Sequence, residues 1–498
     1  MNEDRSKFRF DDKMSDLLRE QVMTDPDEMG TPPGDKSEKG SIDDIQFEVK
    51  PTELIRYLKK YLVGQEQAIG TVATKICTHF HRMRLEREHE DLPRIVGDVK
   101  PNMLLIGPTG VGKTYLIKLI ADKLNVPFVK GDATKFSETG YVGGDVEDLI
   151  RELVHQVDGN IALAEYGIVY IDEIDKIASS GSWWGPDVSR SGVQRNLLKL
   201  MEETEVDMKV PHDLASQMEA VLETQRAGKA VRKKVNTRNI LFVMSGAFSG
   251  MPEIIARRLK KGGMGFTGEE MTSAAEVNTL WPQLHTQDLI QYGFESEFVG
   301  RVPVVTYLDE LTEDGLFSIL KNPQGAVIAA KKRDFAAYGI KLTFDDDALR
   351  LFASEANQHG TGARGLVSVV EKYMMRFETE LPSTSVKRLD LTKQFCLNPE
   401  DSIKMLVSEH DFETYLKEFK EETGIQLEIS EAAREIAERN AVEKSQTIYK
   451  YLKEVLKDYA YGLKLAGRDR FAVTRSVLND PKKYLDELIK KSYKGAEE

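Results

Sequence analysis

The 498-residue chain carries 82 Asp and Glu against 69 Lys and Arg, a net charge of -13, with 41% hydrophobic and 30% charged residues. That length supports about two to four domains with a real core in a soluble, globular class, and the acidic balance argues against direct nucleic-acid binding, because phosphate contact needs a basic face. No apolar run approaches the ~20 residues of a membrane span, the Met1-Asn-Glu-Asp-Arg5 start lacks a signal-peptide apolar region, and the only cysteines, Cys77 and Cys396, make neither a four-ligand zinc site nor a disulfide framework; a cytoplasmic protein is expected.

Residues 1–45 are polar and acidic, too poor in apolar side chains to fold alone, and read as a disordered arm: a tether or a solvated tail. The fold is expected from about residue 46. Thr52 precedes Leu54, Ile55, Leu58 and Tyr61 in a capped amphipathic helix. Leu62-Val63-Gly64-Gln65 follows, then a helix through Val72, Ile76, Phe80 and Met83, and a charged loop from Glu86 to Val99. Met103-Leu-Leu-Ile106 reads as a buried parallel strand. It delivers Gly107-Pro108-Thr109-Gly110-Val111-Gly112-Lys113-Thr114, the G-x-x-x-x-G-K-T phosphate loop, and Tyr115 to Leu124 continues as a helix. Glycines let backbone N–H groups close around phosphate oxygens, and the helix N-terminus adds partial positive charge. Lys113 is expected to reach the outer phosphates and Thr114 to ligate Mg²⁺.

Val126-Pro-Phe-Val129 reads as a short strand, followed by Gly140-Tyr141-Val142-Gly143 and a helix through Val146, Ile150 and Val154. Gly167-Ile-Val-Tyr-Ile171-Asp172-Glu173 is an apolar strand ending in two carboxylates. At that strand end Asp172 is expected to hold Mg²⁺, directly or through water, and Glu173 to polarise the attacking water. The loop from Ser179 to Ser191 holds Trp183 and Trp184, either a binding hot spot or cover for an apolar surface. A helix is expected from Gly192 to Met201. Pro211 to Lys234 reads as an insertion, with a helical face of Leu214, Met218, Val221 and Leu222 and then a basic run. Asn239 to Met244 is another buried strand, ending at Ser245, a γ-phosphate sensor or a turn serine. Met264-Gly265-Phe266, between further glycines, suggests an apolar docking tripeptide or simple loop packing.

From Thr312 the pattern turns to helices with one short strand, Ile340 to Phe344, and the Thr361-Gly-Ala-Arg364-Gly-Leu366 turn. This is a separate small α+β unit, residues 312–398, after a large domain of residues 46–311. Residues 399–498 are helix-rich and polar. Within them Gly424-Ile-Gln-Leu-Glu-Ile resembles Gly339-Ile-Lys-Leu-Thr-Phe, which reads either as a degenerate copy of the small unit, without its Gly-Ala-Arg-Gly, or as chance similarity of amphipathic helix pairs.

The motifs Tyr61 to Ala68, Gly107 to Thr114, Gly140 to Gly143, Gly167 to Lys176, Phe298-Val-Gly-Arg301-Val-Pro303 and Thr361 to Leu366 occur in the order seen in the ClpX/HslU branch of the AAA+ ATPases. The resemblance covers about Thr52 to Pro382. It is closer to ClpX, because no long domain interrupts the chain before Asp172. It implies a P-loop NTPase large domain with a parallel sheet between helices, a small α+β lid, and a homo-hexamer that hydrolyses ATP with Mg²⁺ to pull protein substrates through a pore. By resemblance Leu62 and Val63 line the adenine pocket and Tyr115 joins the nucleotide contacts. Arg301 is the arginine finger and Arg364 the second sensor, both catalytic beside Lys113 and Glu173. Tyr141 and Val142 form the pore loop, and Met264-Gly265-Phe266 matches the tripeptide that docks a ClpP-like peptidase. The four-cysteine zinc domain and the basic-His pore-entrance loop of ClpX are not matched, and the region past Pro399 has no ClpX counterpart. The alternative reading is a nucleotide-gated scaffold, or a dedicated complex remodeller working without a peptidase.

Overall fold

The computed structural model describes residues 41–89, 99–137, 144–179, 188–208, 234–261, 279–444 and 446–494. The described residues separate into two compact units: one covers 41–326 and Phe352–Val369, the other comprises Val327–Leu351 and the residues from Val370 on.

The first unit is built on a five-stranded sheet in the order β2 (Phe128–Asp132), β3 (Ile168–Asp172), β6 (Leu241–Gly246), β1 (Met103–Ile106), β7 (Val304–Tyr307). Every pairing is parallel. Parallel strands are covered on both faces, so they read as unbroken apolar runs, and all four residues of β1 and all six of β6 are buried. One face packs with Leu104, Ile106, Val169, Ile171, Phe242 and Met244 in a single core that takes in Phe298. An antiparallel pair, β4 (Glu205–Asp207) with β5 (Lys234–Asn236), stands apart from the sheet.

Most elements lie where hydrophobic pattern places them, with shifts that have local causes. The helix after the phosphate loop spans Lys113–Leu124 and ends on Asn125 in the left-handed region. Strand β2 sits two residues later than expected. Pro127 has no N–H to give a ladder, whereas Gly131 and Asp132 pair with Ile171 and Asp172. Strand β6 also starts later, because Thr237–Asn239 form a 3-10 turn capped by Asn236.

The second unit corrects the expectation of a lone strand. A strand needs a partner for its backbone groups, and β8 (Lys341–Phe344) finds it in β9 (Arg388–Leu391), in parallel. Charged residues alternating with leucines had hidden β9. A second parallel pair, β10 (Gln426–Ile429) with β11 (Arg470–Val473), packs over a core of Phe412, Tyr415, Leu427, Ile436, Leu452, Tyr459 and Leu463. Among the described residues no helix is long and apolar enough to cross a membrane.

Candidate nucleotide site

Ligands of open parallel sheets sit beyond the carboxyl ends of the strands. Here β1 ends in the phosphate loop, β3 in Asp172 and β6 in Ser245 and Gly246. Because β6 lies between β3 and β1, Ser245 is placed between the two nucleotide motifs. Its Oγ donates to Asp172 Oδ1 at 2.7 Å and shares a hydrogen bond with Tyr170 Oη at 2.5 Å. Thr114 Oγ1 donates to Tyr170 Oη at 3.0 Å and lies 3.4 Å from Asp172 Oδ2. Thr114, in the first turn of the helix, is thereby tied to the end of β3 through a buried tyrosine.

Lys130 completes this cluster and was not read from the sequence. Register places Lys130 opposite Tyr170 and Asp132 opposite Asp172, and Lys130 Nζ lies 3.0 Å from Asp172 Oδ2. Burial opposes the charge on Asp172, yet the Ser245 hydroxyl and the Lys130 ammonium outweigh it and hold the carboxyl below the usual range. Burial pushes the Tyr170 phenol up, and the Asp172 charge pushes it further.

Lys113 is buried, and its Nζ donates to the carbonyls of Gly107 at 2.6 Å and Pro108 at 2.8 Å. Burial lowers its ammonium to about 8; Asp172 and Asp175 pull the other way, and Arg364 adds to the lowering. A cation held by carbonyls in a dry loop is set to exchange them for phosphate oxygens. Val111 is buried, Pro108 and Gly112 are partly covered, and Thr109 and Tyr115 are exposed.

The Thr361–Arg364 turn reaches the phosphate loop by backbone contact. Ala363 N donates to Gly110 O at 2.9 Å. Gly110 has φ +81°, and a Cβ there would stand 2.2 Å from Thr361 O; Gly362 has φ +59°, and its Cβ would stand 2.9 Å from Gly110 O. Both glycines are therefore required by close approach as well as by a conformation L residues avoid. Arg364 is exposed beside the loop.

Leu62 is buried, with Cδ2 3.0 Å from the place a Cβ on Gly112 would take, and Val63 is half-buried. Gln65, itself in the left-handed region, clamps this segment: its amide donates to Asp309 O and accepts from Asp309 N, both at 2.8 Å. Glu173 is exposed at φ +56°, and its N–H donates to Asp172 Oδ1 at 3.1 Å. It lines a cleft of about 940 Å³ with Phe136, Arg190, Glu253 and Tyr292.

Arg301 is not gathered into this cluster. Its carbonyl accepts from the Asn102 side chain at 3.0 Å, and its guanidinium, 46% exposed, pairs with Glu202 at 2.7 Å. Tyr141, Val142, Met264, Gly265, Phe266, Trp183 and Trp184 lie outside the described residues, as does the 211–233 stretch.

A phosphate loop at the end of β1, an acidic pair at the end of β3 and a polar residue between them define a P-loop ATPase. In agreement, residues 98–305 match the family described as AAA domain (Cdc48 subfamily), and residues 311–381 match the C-terminal, D2-small domain of ClpB protein. Among curated proteins, the chain is 36% identical over 374 residues to the ATP-dependent Clp protease ATP-binding subunit ClpX of Borrelia duttonii, covering 74% of this chain and 84% of that protein. It is 38% identical to the ClpX subunits of Bacteroides thetaiotaomicron (70% of this chain, 80% of that one) and Treponema denticola (71% and 83%). The chain belongs to the ClpX family of AAA+ ATPases, and it is an ATP-dependent protein unfoldase.

Proposed function

We propose that this ATPase works as a ring hexamer in the cytoplasm, converting hydrolysis into traction on a polypeptide in its central pore. The observation that carries the reading is the division of the arginines. Arg364 stands beside the phosphate loop of its own chain, whereas the Arg301 guanidinium is held at the surface in a pair with Glu202. An arginine finger held away from its own site serves only a neighbour's, where its charge stabilises the transferring phosphoryl group. Lys113 holds the outer phosphates and Glu173 polarises the attacking water. Leu62, Val63 and Tyr115 contact the nucleoside end.

Mg²⁺ suits the donor set. Thr114 Oγ1 and the Asp172 carboxylate are hard oxygen donors, and the Lys130 ammonium is a cation already seated on that carboxylate. When bound, the ion would neutralise phosphate charge. Lys130 then competes for Asp172. Lys130→Met is expected to lower the Mg²⁺ concentration for half-maximal binding of a fluorescent ATP analogue roughly threefold, the scale of one exposed ion pair; an unchanged Mg²⁺ midpoint removes the competition.

Tyr141 and Val142 supply grip, since an aromatic ring contacts many side chains without sequence preference. Tyr141→Ala is expected to leave ATP turnover within about twofold and to slow unfolding of a tagged fluorescent substrate by about tenfold, the loss of one to two kcal/mol of contact. Unimpaired unfolding would remove Tyr141 from the pore. Met264-Gly265-Phe266 offers an apolar anchor to a ClpP-like peptidase, in keeping with the relatives' names, which call them ATP-binding subunits of a Clp protease. Co-sedimentation with that peptidase, lost in Phe266→Ala, separates this assembly from a remodeller acting alone; no co-sedimentation of the wild type favours the latter.

A further inference from the structure

The chain from Ala326 on contains the same path twice. The helix Ala326–Ala337 leads through Gly339, φ +72°, into β8; the helix Pro399–Thr423 leads through Gly424, φ +75°, into β10. Helices Asp346–Gln358 and Glu431–Glu443 have equal length and lie 85 residues apart (346 to 431). The next helix, Ala363–Glu380, corresponds at the same offset to 448–465, where a break divides it into Ile448–Val455 and Tyr459–Leu465. β9 and β11, the short helices Lys393–Leu397 and Arg475–Asn479, and the helix starts at Pro399 and Pro481 then follow at a constant 82 (388 to 470, 393 to 475, 399 to 481). Core positions correspond as well: Ile340 with Ile425, Leu342 with Leu427, Ala348 with Ala433, all buried.

The two paths differ where function would show. At the position of Gly362, Ala363 and Arg364 the later path has Thr447, Ile448 and Tyr449. It therefore has neither the glycine that permits approach to a phosphate loop nor the arginine. A second difference lies on the outer face. Arg376 pairs with Glu380 and Glu400 in the first path; the corresponding residues of the second are Tyr461, Leu465 and Lys482. A closed charge network has been replaced by Tyr461, 72% exposed, and Leu465, 46% exposed. Tyr461, Lys464 and Leu465 stand at i, i+3 and i+4 on one face of the helix Tyr459–Leu465, with Lys457 in the turn before it and Arg468 just past Gly467, φ +59°, and all five are exposed. None of the three cations is ion-paired among the described residues. Residues 444–494 hold 13 Lys and Arg against 6 Asp and Glu in a chain of net charge -13.

We propose that the chain from Pro399 on is a second copy of the preceding unit that has lost nucleotide contact and become a docking module, and that its Lys457–Arg468 face takes residues 11–28 of this same chain. Charge complementarity selects that occupant. Residues 11–28 carry seven carboxylates against Lys13 and Arg19, and Met14, Leu17, Leu18 and Val22 recur at helical spacing. An apolar stripe would cover Tyr461 and Leu465 while the carboxylates meet the cationic rim, the helix-on-groove mode of recognition.

Hydrogen exchange on the full chain tests this. In the wild type, amides of Tyr459–Leu465 are expected to exchange at least threefold more slowly than in Leu17→Asp/Leu18→Asp. A synthetic peptide of residues 11–28 added to that variant should restore the protection, with an affinity that falls as salt is raised. The same peptide should not protect a chain that also carries Tyr461→Asp/Leu465→Asp, two exposed positions whose change leaves the core intact. Equal exchange in wild type and Leu17→Asp/Leu18→Asp overturns the proposal, as does peptide protection that survives the Tyr461→Asp/Leu465→Asp change. ATP turnover, unchanged in every variant, shows that each chain is folded.

Discussion

Glu173→Gln is expected to lower ATP turnover by about two to three orders of magnitude, the range of a lost general base, while ATP binding stays within about twofold. The geometry supports the separation. The side chain of Glu173 is exposed and makes no contact that holds Lys113, Thr114 or Asp172 in place. Its backbone N–H bonds Asp172 Oδ1, and the amide of Gln preserves that bond. What disappears is the basic oxygen. The position is also strained: a non-glycine residue at φ +56° costs about 1–2 kcal/mol. Such outliers persist where surrounding structure fixes them and function uses them. Glu173→Gly, which relieves the strain, should therefore lose turnover equally without losing stability. Steady-state kcat and nucleotide binding, measured on the same preparations, check both; normal turnover in Glu173→Gln would take the residue out of its role.

The sequence made the chemistry of single strand ends legible and left their assembly unread. The phosphate loop is local: a strand, its glycines and a helix follow within one stretch, and each part states its own reason. The Asp172-Glu173 end was readable on the same grounds. Lys130 was not, because its meaning comes only from register. One residue of slip in β2 would turn it to the other face of the sheet, and no pattern within Phe128–Asp132 sets that register. Tyr170 was read as one more apolar residue in a buried run, yet its hydroxyl joins Thr114 to Ser245. The likeness proposed for the chain after Pro399 was visible only faintly, between Gly339 and Gly424. The elements that support it most are β9 and β11, whose sequences, Arg388-Leu-Asp-Leu391 and Arg470-Phe-Ala-Val473, look like surface until each is paired. Long-range pairing carries no local signal, so these residues could be placed only by the fold.

The same argument makes Gly362 a sensitive position for nucleotide binding outside the phosphate loop. Gly362→Val is expected to raise the Kd for ATP at least about thirtyfold, an effect of roughly 2 kcal/mol. Two costs add. A β-branched residue at φ +59° is a conformational outlier. Its Cβ would also stand 2.9 Å from Gly110 O and 3.0 Å from Thr109 O, which are backbone atoms of the loop and cannot rotate aside. Relief by moving the turn breaks the Ala363 N to Gly110 O hydrogen bond and withdraws Arg364. Relief by moving the loop disturbs Gly107 and Pro108, whose carbonyls hold Lys113. Arg364→Ala separates the two routes, since it removes the guanidinium and leaves the backbone contact. If Arg364→Ala weakens ATP binding only severalfold while Gly362→Val abolishes it, the turn acts first by shaping the loop and second by charge. Equal losses would mean that the arginine alone carries the effect, and unaltered binding in Gly362→Val would show that this turn leaves the loop when nucleotide enters.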